Sequence, residues 1–103
     1  VVGIDLSPVQ VARGREQAAA LGLSNLRLEV LDIRALERAG LGAFDVVIAH
    51  GVLAWVEPAV QDALLAALPG LLAPRGIAYL GTSVLPGAHG LLAVREWLRA
   101  RVP

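Results

Sequence analysis

Strands and helices alternate along this sequence, which predicts an α/β fold: a parallel sheet with helices packed on its faces. Short apolar runs recur at residues 1–4, 26–31, 44–49 and 77–82, and the stretches between them carry helical spacing or helix-capping residues. The chain has 103 residues, 56% of them hydrophobic and 17% charged, which sets the scale at one small domain or a piece of one.

Residues 1–4 form a short apolar strand ending at Asp5. Ser7 is a good helix N-cap, and Pro8 suits the first helical turn, where a missing N–H leaves no bond unmade. Val9, Ala12, Ala19 and Leu21 supply much of that helix's apolar content, and Gly22 is its expected stop. Residues 26–31 alternate Leu26, Leu28 and Val30 with Arg27 and Glu29, the pattern of a strand near a sheet edge with one solvated face. It exits at Asp32. Residues 33–42 read as a short helix or loop. Residues 44–49 are nearly unbroken in their apolarity, which suits a strand buried on both faces, and they exit at His50 and Gly51.

Pro58 opens a second helix, with Val60, Leu64, Leu65, Leu68 and Leu71 spaced for one buried stripe, and Pro69 is expected to kink or break its last turns. Residues 72–76 read as a turn, 77–82 as a strand, 84–90 as a loop and 91–101 as a helix. In that last helix Leu91, Val94, Trp97 and Leu98 fall at helical spacing, which places Trp97 in a core or domain contact.

Nine basic residues balance nine acidic ones, so no overall field draws the chain to nucleic acid or to an anionic membrane surface. The absence of cysteine excludes disulfides, thiolate catalysis and thiolate-bound zinc, and the compartment it suggests is the cytosol. Charged residues, glycines and prolines interrupt every apolar stretch before it reaches the roughly 20 residues of a membrane span. The first residues carry no initiator Met and no signal-peptide layout, and already read as the end of a buried strand, so the chain is expected to begin inside a domain.

Asp5, Asp32 and His50 fall at the carboxyl ends of successive predicted strands, the edge at which open α/β sheets bind ligands. A carboxylate there can accept hydrogen bonds from both hydroxyls of a ribose, and charged bonds of that kind contribute about 1.5–3 kcal/mol. Asp5 fits that role; its alternative is a loop carboxylate that caps the following helix. Asp32 can receive an adenine amino group while the Ile33 N–H donates to a ring nitrogen; its alternative is a turn aspartate. His50 is a candidate general base or positioning group, against a histidine that only satisfies nearby backbone. His89 and Trp55 are candidates for the wall of a substrate cleft. Two distant histidines without acidic partners at set spacing do not make a metal site, so no metal is expected.

Together, Val2-Gly3-Ile4-Asp5-Leu6-Ser7, Leu31-Asp32-Ile33 and Phe44-Asp45-Val46-Val47-Ile48 resemble the class I, Rossmann-like methyltransferases. Residues 72–76 are similar to the turn before the fifth strand of that family. The resemblance implies S-adenosylmethionine as cofactor, with Gly3, Asp5 and Leu6 around its ribose, Asp32 and Ile33 at its adenine, and His50 beside it. It implies transfer of a methyl group to an acceptor that the sequence does not identify. A narrower likeness, in residues 49–56 and 82–89, is to bacterial methyltransferases with a downstream regulatory domain, some of which modify protein lysines. Ala88 departs from it where an aromatic residue is expected before His89, and Pro69 departs from a helix usually free of proline.

The family's first strand and glycine-rich loop are expected upstream of Val1, so residues 1–103 read as a partial domain, inactive alone. That strand belongs between residues 1–4 and 44–49. Without it the piece is expected to fold poorly or to pair its strands differently, since long apolar edges are left unpaired. Two other readings stay open: an NAD-dependent oxidoreductase fragment, because an acidic strand exit also binds the ribose of NAD, and a non-catalytic module of the same fold.

Overall fold

The computed structural model describes residues 1–84 and 86–101; position 85, inside the expected loop 84–90, and positions 102 and 103 lie outside the described residues. The elements run β1 (Val2–Asp5), α1 (Pro8–Ala20), β2 (Arg27–Val30), a 3-10 helix (Ile33–Arg38), β3 (Phe44–His50), α2 (Pro58–Leu71), β4 (Leu72–Gly81) and α3 (His89–Arg99). This is the α/β alternation the sequence predicts, with parallel strands and flanking helices. β1 pairs with β2 from Val2↔Arg27 to Asp5↔Val30. β3 pairs with β4 from Val46↔Ile77 to His50↔Gly81. Among the described residues the two pairs form separate two-stranded sheets, and β1 and β3 do not bond to each other.

Local chemistry explains where α1 starts and stops. The Ser7 hydroxyl accepts the Gln10 N–H at 3.4 Å, and Pro8 opens the helix. At the other end Gly22 takes φ +66°, its N–H donates to the Ala19 carbonyl and the Leu23 N–H to that of Ala18, the paired bonds of a Schellman stop. The buried stripe is Val11 and Ala18, while Val9 and Leu21 are 61% and 75% exposed. Positions 11 and 18 are two turns apart on one face, whereas Val9 points to the opposite side. That stripe lies over β1 and β2, where the Leu28 side chain fits between two glycines. A Cβ on Gly3 or Gly14 would stand 2.7 or 2.6 Å from its methyl groups.

The main core joins Leu36 of the 3-10 helix, Ala49 of β3, and Leu64, Ala67 and Leu71 of α2. Leu65, expected in the stripe, is 48% exposed. Pro69 stays inside α2 and does not end it. Its missing N–H deprives only the carbonyl of the exposed Leu65, in the last turn, so the cost of keeping the helix is small.

Three sequence expectations change. β3 is not buried on both faces: Val46 and Ile48 are 51% and 68% exposed, because α2 and the 3-10 helix cover only the side of Val47 and Ala49. Residues 72–76 are not a turn ahead of the last strand but part of β4. Phe44 pairs with Leu72 and Val46 with Ile77, so residues 73–76 bulge out, with Arg75 at φ 68°. Trp97 is not in a core: α3 buries no residue, and the Arg101 guanidinium lies 4.1 Å above the indole ring.

Candidate functional site

A gap of about 650 Å³ separates β1 from β3, the position expected for the family's first strand, and the carboxyl ends of the strands lie on its rim. Of the expected site residues, Gly3, Asp5, Leu6, Asp32 and Ile33 line it. The parallel register explains why Asp5 and Asp32 come together. Asp5 closes β1 opposite Val30, the Leu31 N–H donates to the Asp5 carbonyl at 3.0 Å, and Asp32 is the next residue.

Each carboxylate also has a local task. Asp5 Oδ1 accepts the Ser7 N–H at 2.7 Å, fixing the turn into α1; among the described residues Oδ2 accepts no hydrogen bond. Asp32 caps the 3-10 helix by accepting the Arg34 N–H at 2.9 Å. Capping and ligand binding are therefore not exclusive readings, because a carboxylate has about four lone-pair directions. The Ile33 N–H stands at the first position of the 3-10 helix, where no intrahelical carbonyl can reach it.

Sequence reasoning passed over Arg34. Its Nε and a terminal nitrogen grip Asp32 at 3.1 and 2.6 Å, and its other terminal nitrogen lies 3.9 Å from Glu57 Oε1 at the start of α2. Hydrogen bonds from the Arg34 side chain and backbone, with its charge, hold the Asp32 carboxyl below the ordinary carboxylate range. The signal was present as Asp-x-Arg at a strand exit, a spacing at which a long side chain can fold back onto the carboxylate.

The remaining candidates lie elsewhere. His50 ends β3 as expected, but its ring stacks parallel to Tyr79 of β4 at 6.1 Å between centroids, and it is not in the wall of the gap. Gly81 makes that position possible, since a Cβ there would collide with the imidazole. Trp55, 84% exposed, and His89, the first residue of α3, are also outside the wall, so the structure does not join them to Asp5 and Asp32. Val52 and Val56 flank Trp55 and face the gap in its place. Gly3 lines the gap, yet its lack of a side chain is already required by Leu28.

Parallel strands with flanking helices and acidic residues at the strand exits are the layout of a Rossmann-like domain. A family model described as a methyltransferase domain matches residues 1–78. The chain belongs to this methyltransferase domain family, the class I group that the sequence resembles. That membership displaces the oxidoreductase reading.

Two uncharacterized proteins of Rickettsia prowazekii (strain Madrid E) are close in sequence. RP028 is 37% identical over 97 residues, covering 94% of this chain and 38% of its own length. RP789 is 34% identical over 97 residues, covering 94% of this chain and 17% of its own length. Among solved structures, PKMT2 from Rickettsia typhi in complex with AdoHcy matches with a TM-score of 0.86 and 36% identity, over 95% of this chain and 19% of that one. A second structure, of PKMT2 from the same organism, matches equally well. The chain thus spans well under half the length of these relatives. No described helix is long and apolar enough to cross a membrane.

Proposed function

We propose that residues 1–103 form part of a domain that binds S-adenosylmethionine and transfers its methyl group to an acceptor. The observation that carries this reading is the pair of carboxylates, Asp5 and Asp32, set side by side at the exits of two paired parallel strands. The AdoHcy complex of PKMT2, a protein of the same fold and 36% identical, supports it. Bound there, the cofactor supplies a methyl group on a positively charged sulfur.

The residues present suit the adenosine end of that cofactor. Oδ2 of Asp5 accepts from the ribose hydroxyls while Ser7 holds Oδ1 in place. Asp32 accepts from the adenine amine and the Ile33 N–H donates to the ring, with Leu6 and Ile33 supplying apolar contact. The proposal assigns no step to His50, Trp55 or His89, all outside the wall of the gap. The narrower likeness of residues 49–56 and 82–89 extends the proposal to a protein lysine as one acceptor class.

Calorimetric titration of the intact protein with AdoHcy tests the reading. Saturable binding is expected, weakened about tenfold or more in Asp5→Ala, as loss of a charged hydrogen bond implies. Absence of binding overturns it and leaves a non-catalytic module of the same fold.

A further inference from the structure

β2 has a neighbour on one side only: among the described residues it pairs with β1 alone. The Arg27 N–H donates to the Val1 carbonyl and the Leu31 N–H to that of Asp5. In this parallel ladder Arg27, Glu29 and Leu31 therefore turn their backbone groups to β1, and Leu28 and Val30 turn theirs outward. An outward row of this kind is ready to pair with another strand. One of its acceptors is already taken. Arg15 of α1 donates to the Leu28 carbonyl from Nε, at 3.0 Å, and from a terminal nitrogen, which fills both lone pairs of that oxygen. The close seat of the helix makes this reach possible: a Cβ on Gly14 would stand 2.6 Å from Leu28 Cδ1, and Arg15 is the next residue.

We propose that the outer edge of β2 is a self-complementary strand-pairing surface, and that Arg15 holds it closed against a second copy of this chain. Antiparallel pairing about a two-fold axis at Leu28 sets this residue opposite its own copy, each N–H donating to the other's carbonyl. The same register sets Arg27 of each copy opposite Glu29 of the other, a cross-strand pair of opposite charges made twice. Within one chain these two side chains already meet at 2.9 Å, so they share a face. The register thus matches in charge and in backbone polarity, and its central bond needs the carbonyl that Arg15 occupies. About that axis the two Arg15 guanidinium groups would also meet as like charges.

The test measures particle mass by light scattering over a range of concentrations, with melting temperature alongside. It uses the intact wild-type protein, Arg15→Ala, Arg15→Lys, and Arg15→Ala combined with Glu29→Arg. Arg15 is exposed, so its removal should leave the melting temperature near that of the wild type. Arg15→Ala should double the wild-type mass as concentration rises. Arg15→Lys should need a higher concentration to do so, because an ammonium keeps the charge but not the two-pronged grip. Adding Glu29→Arg sets like charges opposite each other and should restore the wild-type mass. A labelled peptide of residues 26–31 gives a second readout: its fluorescence polarisation should rise with Arg15→Ala and not with the wild type. An Arg15→Ala protein that keeps the wild-type mass overturns the second copy as occupant, whether or not it takes the peptide. Association that Glu29→Arg leaves intact overturns the register. Peptide binding as tight to the wild type as to Arg15→Ala shows an edge that Arg15 does not close, and association with a large fall in melting temperature shows a folding defect; either result overturns the inference.

Discussion

Helices α2 and α3 are built to a similar plan, yet only one of them is covered. α2 carries Leu64, Ala67 and Leu71 on one face and seals them against Leu36 and Ala49. α3 carries Leu91, Val94, Trp97 and Leu98 at the same kind of spacing, and leaves them 69%, 56%, 55% and 47% exposed. The difference lies in what surrounds each helix. α2 connects two paired strands and lies against both of them and the 3-10 helix, whereas α3 follows β4 and makes no packing contact with another element among the described residues. Periodicity decides which face of a helix is apolar; a partner surface decides whether that face is buried.

The largest effect that can break this contrast comes from truncating the same kind of side chain on each helix. In this chain Leu64→Ala removes a 4%-exposed side chain and should cost about 2–5 kcal/mol in urea unfolding. Trp97→Ala removes a larger side chain and should stay within about 0.5 kcal/mol, as a surface substitution does. Comparable losses at the two sites would mean that the α3 stripe is packed in solution.

The contrast also shows what could be read from the sequence. Strand exits at Asp5, Asp32 and His50, the Ser7–Pro8 start and the Gly22 stop were all legible, because each is decided within a few residues by a cap, a missing N–H or an apolar run. The exposure of Val46 and Ile48 was not, since it depends on which side of β3 receives a helix. Nor was the stacking of His50 on Tyr79, which requires the β3–β4 register that sets His50 opposite Gly81. Half of the candidate site follows the same rule. Asp5, Asp32 and Ile33 were found through strand ends, whereas Arg34 was overlooked because only the fold-back of its side chain reveals it. His50, Trp55 and His89 were grouped with the site by sequence position, and the structure sets them apart.

A smaller effect sharpens the distinction between the gap and the exposed end of β3. Gly81→Ala puts a Cβ where the His50 imidazole lies, so the ring must swing away from Tyr79. His50 is exposed and can move, which should limit the cost to about 1 kcal/mol or less. The expected signature is loss of ring-to-ring contacts between His50 and Tyr79 in NMR spectra, with AdoHcy affinity in the intact protein unchanged. A fall in affinity would place His50 at the ligand after all.

The smallest effect concerns the proton on Asp32, and it separates a carboxylate held by Arg34 from one that only ends a strand. Arg34 lowers the native Asp32 carboxyl below its ordinary value, and Asp5 and Glu57 are the acidic groups that share its rim. A depressed native pKa means that the pair's stabilisation is complete at pH values above the ordinary, unfolded carboxylate value. It is lost as the pH falls through the lower native one. Arg34→Gln removes the charge and the fork, so the Asp32 carboxyl should titrate at higher pH than in the wild type, followed by its side-chain carbon shift. Stability at neutral pH should hardly change, because both partners are solvent-accessible and an exposed pair contributes little. An Asp32 titration that does not move on this substitution would show that Arg34 is not on the carboxylate in solution.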